Sequence, residues 1–233
     1  MDDNLDFKSY LLISPKKLII SVITNSQNEI YKKELIFKKN CYNIDFIQLD
    51  EFLHQNIFRI EKKSKNFIRS ISIILDFDIF LPVEISIKRN NYGKKIDIDN
   101  LKHILYEAKE DCKKTLQGNR ISHMLIDRYK FDDNSYSYLP EGVECNNYSV
   151  DIKFICISEN LYQNLENILK KYQISIKELI SAKYIENFLR DPSENVFSMA
   201  SKLANGHNPN EVKLINKSIK NEGFFEKFFN FFR

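Results

Sequence analysis

Two segments in the middle of the chain lean towards strict alternation of apolar and polar residues: 121–131 (ISHMLIDRYKF) and 148–158 (YSVDIKFICIS). A side-chain period of two puts successive residues on opposite faces, so both read as strands. Between them stand Asp132, Asp133, Asn134, Pro140 and Gly142, residue types that favour turns. The spacing predicts an antiparallel pair joined by a long hairpin loop. Upstream, residues 99–115 place Leu101, Ile104, Leu105, Ala108 and Cys112 on one stripe of an amphipathic helix. Residues 81–88 read as a short strand, 160–172 as a second amphipathic helix, and 174–180 as a further strand.

The N-terminal third repeats these signals in another order. Residues 8–14 and 17–24 are apolar strands separated by Pro15 and Lys16, and 29–37 form a third after the polar turn 25–28. Residues 45–65 carry Phe46, Leu49, Leu53, Ile57 and Ile60 on one helical stripe, and 66–76 return as a strand. Late in the chain, 193–205 read as a short helix. After it, 206–210 (GHNPN) read as a linker open to proteases, and 211–221 as a polar spacer compatible with a helix.

Composition narrows the classes. With 43% hydrophobic residues among 233, the chain can bury one large core or two small ones. It has no Trp, but its 18 Phe and 12 Tyr can fill that core. The net charge of +3 is too small to imply a nucleic-acid partner. No apolar run approaches the ~20 residues of a membrane-spanning helix. Cys41, Cys112, Cys145 and Cys156 form no C-x-x-C pair and no signal peptide is evident, which favours a reduced, cytosolic protein with buried thiols.

Catalytic chemistry has no candidate. Asp76 with Asp78, and Asp132 with Asp133, could serve acid–base or metal chemistry, but turn formation explains both pairs. His54, His103, His123 and His207 lack metal-ligand spacing, and no motif joins a His to a Cys. His123 reads as a satisfied strand histidine. Lys62, Lys63 and Lys65 suit the C-terminal end of a helix dipole.

The order of motifs over 81–172 resembles the small strand–helix–strand–strand subdomain of FtsA, the actin-like bacterial division protein. Ile96 and Ala108 fit that family's helix signature, with Asn100 where an aspartate is usual. His123, Tyr129 and Asp132 stand at the spacing of H-x-I-P-x-x-Y-x-x-D, with Leu125 and Ile126 replacing Ile and Pro. Pro140, Gly142, Val143 and Val150 match the following turn and strand, with Tyr148 at a leucine position. The resemblance implies an α+β fold: an actin-type first subdomain split over 1–80 and 174–205, with the small subdomain inserted at 81–173. A linker or spacer over 206–222 and an amphipathic membrane-targeting helix over 223–233 would follow.

The family's phosphate loop, L-D-I-G-(T/S)-(S/T)-K, falls on the first hairpin. Here the aligned residues are Leu11, Leu12, Ile13, Ser14, Pro15, Lys16 and Lys17. Leu12 replaces the metal-binding aspartate, Ser14 the glycine that lets backbone amides approach phosphate, and Pro15 has no amide N–H to give. The chain holds only five glycines, widely spaced, so no second phosphate cradle is legible. Phe197, Ala200, Leu203 and Gly206 match a late helix of the family, as if the second lobe had been excised. The expectation is a degenerate ATP site in a chain with no catalytic residue, no cofactor and no metal.

The tail carries the strongest site signal. Residues 223–233 read GFFEKFFNFFR. At about 100° per residue, Phe224, Phe225, Phe228, Phe229, Phe231 and Phe232 share a face about 160° wide, with Glu226, Lys227, Asn230 and Arg233 opposite. Such a segment either docks into the body or lies in the plane of a membrane, with Lys227 and Arg233 near the headgroups. The basic residues Lys213, Lys217 and Lys220 upstream favour the membrane. FtsA proteins end in such a helix, so the resemblance implies a non-enzymatic adaptor on the cytoplasmic face of the bacterial inner membrane, at the division site. Its partners would be the lipid surface, other division proteins and a second copy, met through the small subdomain. The FtsZ contact lies on the missing lobe, which puts it in doubt. Two other readings stay open: an active or regulatory actin-like ATPase, and a pilus-type inner-membrane scaffold sharing the small subdomain.

Overall fold

A carboxylate starts the first helix: Asp45 accepts hydrogen bonds from the amides of Ile47 (3.1 Å) and Gln48 (3.0 Å). Lys65, in the left-handed region at φ +55°, ends it beyond Lys62 and Lys63. The computed structural model describes residues 7–26, 28–96, 98–140, 142–189 and 194–213. In chain order the elements are β1 (Phe7–Ile13), β2 (Lys17–Thr24), β3 (Glu29–Ile36), α1 (Phe46–Ser64), β4 (Ser70–Leu75), β5 (Leu81–Lys95) and α2 (Ile98–Thr115). Then follow β6 (Asn119–Phe131), β7 (Asn134–Tyr136), β8 (Glu144–Ser158), α3 (Glu159–Lys170), β9 (Ser175–Ser181), α4 (Ala182–Phe188) and α5 (Val196–Ala204).

The first sheet has the order β3-β2-β1-β4-β9, with β1–β4 and β4–β9 parallel and the other pairs antiparallel. Its central strands are apolar on both faces because both faces are covered. Leu11, Ile13, Ile20, Ile71 and Ile73 pack towards Leu49, Phe52 and Leu53 of α1 and Leu165 and Leu169 of α3. From the opposite face, Tyr10, Leu12, Ile19 and Ile74 meet Tyr184 and Ile185 of α4 and Phe197, Ala200 and Leu203 of α5. The strand expected over 174–180 does join this sheet, as β9 beside β4.

The second sheet, β5-β8-β6-β7, is built from the chain between β4 and β9. The predicted central pair forms as an antiparallel ladder running from Ile121 opposite Cys156 to Phe131 opposite Tyr148. Leu101, Ile104, Ala108 and Cys112 of α2 bury against Val150, Ile152 and Phe154 of β8. At its far end β8 reaches the other two cores as well: Ile155 joins the cluster around α4 and α5, and Ile157 the cluster around α1 and α3, while Cys156 stays against α2. One strand thereby anchors both sheets.

Four boundaries differ from the sequence expectation. β5 and β8 stay paired out to Lys95 opposite Glu144, across an irregularity where Tyr92 and Gly93 take φ of +54° and +71°. That extension is polar and shows no alternation. The long hairpin loop holds an extra strand, β7, folded tightly onto β6 around Asp132 and Asp133. β4 starts four residues late because 66–69 are tied to α1, the Ile68 amide donating to the Glu61 carboxylate. α5 starts at Val196, where the Asn195 side chain caps the Ser198 amide (2.9 Å).

The linker reading of 206–210 is corrected, as is the spacer reading of 211–213. Gly206, at φ +81°, turns the chain off α5, and residues 208–213 then lie along β6 as a strap. The Ile126 amide donates to the Asn210 carbonyl and the Val212 amide to the Met124 carbonyl, both at 2.9 Å. Asn208 is 6% exposed. Packing and main-chain bonding hold what composition alone suggested was loose. Residues 214–233, and with them all of the expected amphipathic tail, lie outside the described residues. Among the described residues, no helix is long and apolar enough to cross a membrane.

Candidate functional site

The β1–β2 turn, where the resemblance to FtsA would place a phosphate loop, is closed on itself. The Ser14 amide donates to the Lys17 carbonyl (3.0 Å), and the Ser14 hydroxyl accepts from the Lys17 amide (3.1 Å). Pro15 has no N–H, and its carbonyl accepts from Cys41 (2.8 Å). Lys16 gives its carbonyl to Phe37, and the Lys17 ammonium pairs with Glu34 at 2.8 Å. A phosphate cradle requires several amides pointing outward together. Here Ser14 and Lys17 spend theirs inside the turn, and Leu11, Leu12 and Ile13 are buried.

Of the paired carboxylates, that of Asp132 does structural work. Asp132 sits at φ +49° and accepts from the amides of Asn146 (3.1 Å) and Asn147 (2.8 Å), stitching the hairpin to β8. Asp132→Ala should therefore cost about 1 kcal/mol, read as a lower urea midpoint with an unchanged slope. Asp76 continues the ladder of the first sheet, its amide donating to Ile13 (2.9 Å).

A site that the sequence did not disclose forms where the strap crosses from β6 to α4. His123 is 7% exposed, and its Nδ1 lies 2.9 Å from Glu211 Oε1. The Tyr184 hydroxyl donates to Glu211 Oε2 (3.1 Å) and accepts from the Asn208 side-chain amide (2.8 Å). The His123 and Tyr184 rings pack with centroids 4.7 Å apart. Burial pushes the Tyr184 phenol's pKa up, so it stays protonated and donates. Burial alone would raise Glu211 as well. Hydrogen bonding and attraction from His123, with Tyr184 and Lys213 added, more than offset this and hold its carboxyl below the usual range. Two clefts flank the strap. One, of about 380 Å³, includes Lys109, Arg120, His123, Glu178, Glu211 and Lys213 in its walls. The other, of about 500 Å³, is bordered by Phe80, Leu125, Ile155, Tyr184, Phe188 and Asn208.

The chemistry available to this junction is that of a staple. A carboxylate that orients a histidine is half of a general-base arrangement. The other half is missing, because His123 Nε2 is shielded from solvent and meets no hydrogen-bond partner among the described residues. Two of the cleft's cations are paired: Arg120 forks onto Glu159 at 3.0 and 3.1 Å and lies over the Tyr162 ring, and Lys213 pairs with Glu178. Cys112 and Cys156 are buried with sulfurs 3.9 Å apart, and burial pushes Cys156 up to about 12, so neither is a nucleophile at neutral pH. Among the described residues, no group of three or more His, Cys, Asp or Glu could hold a metal.

The sequence signal for this junction was slight. His123 was visible as a strand residue and a motif position but not as a partner of Glu211 and Tyr184, which lie far along the chain in segments without periodicity. The residues expected to bind membrane, Phe224, Phe225, Lys227, Phe228, Phe229, Phe231, Phe232 and Arg233, lie outside the described residues.

No protein-family model matches the sequence, and no curated protein matches it. Among solved structures, the chain is similar to a PilM-PilN type IV pilus biogenesis complex, with TM-score 0.49 and 10% identity over 78% of this chain and 49% of that one. It is also similar to the cytoplasmic domain of EpsL, an inner-membrane component of the Vibrio cholerae type II secretion system: TM-score 0.37, 11% identity, 77% of this chain and 57% of that one. A third is a Bacteroides thetaiotaomicron protein of actin-like ATPase fold and unknown function: TM-score 0.35, 12% identity, 81% of this chain and 58% of that one. The chain thus spans about half to three-fifths of the length of these structures. At this level of similarity no function transfers.

Proposed function

We propose that this chain is a non-catalytic scaffold, held on the cytoplasmic face of a bacterial inner membrane by its tail and acting through protein–protein contact. The observation that carries this reading is the closed β1–β2 turn, which uses the Ser14 and Lys17 amides internally and has Pro15, with no N–H, between them. An actin-type lobe without that cradle keeps its rigid sheets and loses the means to grip phosphate. Following the FtsA-like motifs of 81–172, the scaffold belongs to the division machinery, without the FtsZ-binding lobe.

Calorimetry with Mg-ATP should give no saturable heat, and turnover should equal that of a protein-free control. Saturable binding would restore the ATPase reading. A fluorescent fusion should gather at midcell in dividing cells. Fixed polar foci that ignore the division cycle would instead assign the scaffold to a pilus-type assembly.

A further inference from the structure

β5 is an edge strand: β8 lies on one side of it, and among the described residues no strand pairs with the other side over Leu81–Lys95. Long open edges add strands unless something resists. β5 carries residue types that usually resist, namely Pro82, Lys88 and Arg89. Their placement admits one partner.

We propose that the outer edge of β5 pairs antiparallel with the same edge of a second copy, about a two-fold axis through Ser86. Two identical strands that keep their helix-covered faces on the same side must be related by an axis perpendicular to the sheet. A residue then lies on the axis, and residues equidistant from it face each other. With Ser86 at the centre, Glu84 faces Lys88 of the second copy, and the contact occurs twice. Glu84, Ser86 and Lys88 are all exposed on the outer face. On the α2 side, Ile85 faces Ile87 of the second copy, adding an apolar cross-strand pair.

Neighbouring registers fail this match. Centring on Ile85 sets Lys88 against Pro82, and centring on Ile87 sets Glu84 against Asn90. Arg89 is tied back to Glu107 on α2 within its own chain. Glu84 sits beside Lys153 at 3.7 Å with its side chain 77% exposed, free to lie between two lysines. The edge charges therefore select a register as well as rejecting other strands. The result is a continuous eight-stranded sheet with both α2 helices on one face. This pairing deepens the scaffold reading and rests on it for its purpose. Its test uses purified protein, so it can fail while localisation holds, and the reverse.

The full chain, in a mild detergent that masks the tail, is oxidised with copper phenanthroline. Ser86→Cys should give a disulfide-linked dimer, because a residue on the axis faces itself with Cβ atoms about 5 Å apart. Asn90→Cys should not, since its two copies lie about 27 Å apart along the strands. The unaltered protein, with half-exposed Cys41, sets the background. Glu84→Lys and Lys88→Glu should each weaken self-association about tenfold in sedimentation equilibrium, and the double reversal should restore it. No cross-link at 86 above background, equal cross-linking at 86 and 90, or a double reversal as weak as the single ones overturns the proposal.

Discussion

Glu211→Ala should release the strap and destabilise the protein by about 2–4 kcal/mol, because it strands two buried partners at once. The carboxylate accepts from the Tyr184 hydroxyl and meets His123 Nδ1, and both rings are buried. Amide exchange should locate the loss. The amides of Val212 and Ile126, bonded at 2.9 Å between strap and β6, should exchange much faster, while those in the centre of β1 and β4 keep their protection relative to the global opening. Glu211→Gln retains the shape and an acceptor, so it should cost less at neutral pH.

The pH dependence follows from the sign of the shift. The folded Glu211 carboxyl titrates below its unfolded value, so its contribution is complete above the unfolded pKa of about 4.3 and is lost as pH falls through the folded one. The wild type should lose stability with acid below about pH 4.5 more steeply than Glu211→Gln. Equal acid slopes, or unchanged strap exchange in Glu211→Ala, would show that the carboxylate is a bystander.

What the sequence disclosed, and what it hid, follows from the range of the forces involved. β2, the α1 stripe and the β6–β8 pair were legible because burial on one face or both imposes a local period, and the Asp45 cap and Lys65 stop are local signals too. The polar ends of β5 and β8 were not, since ladder hydrogen bonds leave no mark on side-chain type. The strap was misread because GHNPN has the composition of a linker while its backbone groups find partners on a distant strand. The junction stayed hidden for the same reason: it joins residues 123, 184, 208 and 211, brought together only once both sheets exist. In the first hairpin Ser14 and Pro15 were legible, and the structure adds where the Ser14 and Lys17 amides go.

The tail should hold the protein on lipid weakly as a single copy and firmly as an assembly. Fully burying a Phe side chain is worth about 1.5–3 kcal/mol, but a helix lying in the interface buries its apolar face only in part. The segment must also order, and isolated helices shorter than ~12 residues are marginal in water. A modest, reversible gain per tail is the consequence. Copies joined along β5 would present their tails together, and linking two sites raises avidity by ~10²–10⁴ without any new contact. Phe228→Glu with Phe229→Glu places charge in the middle of the aromatic face and should move the protein from membrane to supernatant. Deleting residues 223–233 should do the same while leaving the urea unfolding midpoint of the body unchanged. Flotation with anionic vesicles separates the possibilities. Loss of flotation in both variants supports an anchor, and its return when the double Phe variant is fused to an unrelated amphipathic helix would show that lipid attachment is what was lost. Equal flotation of wild type and the double variant would mean that the phenylalanines pack on the body or on a partner, and the membrane role would fall.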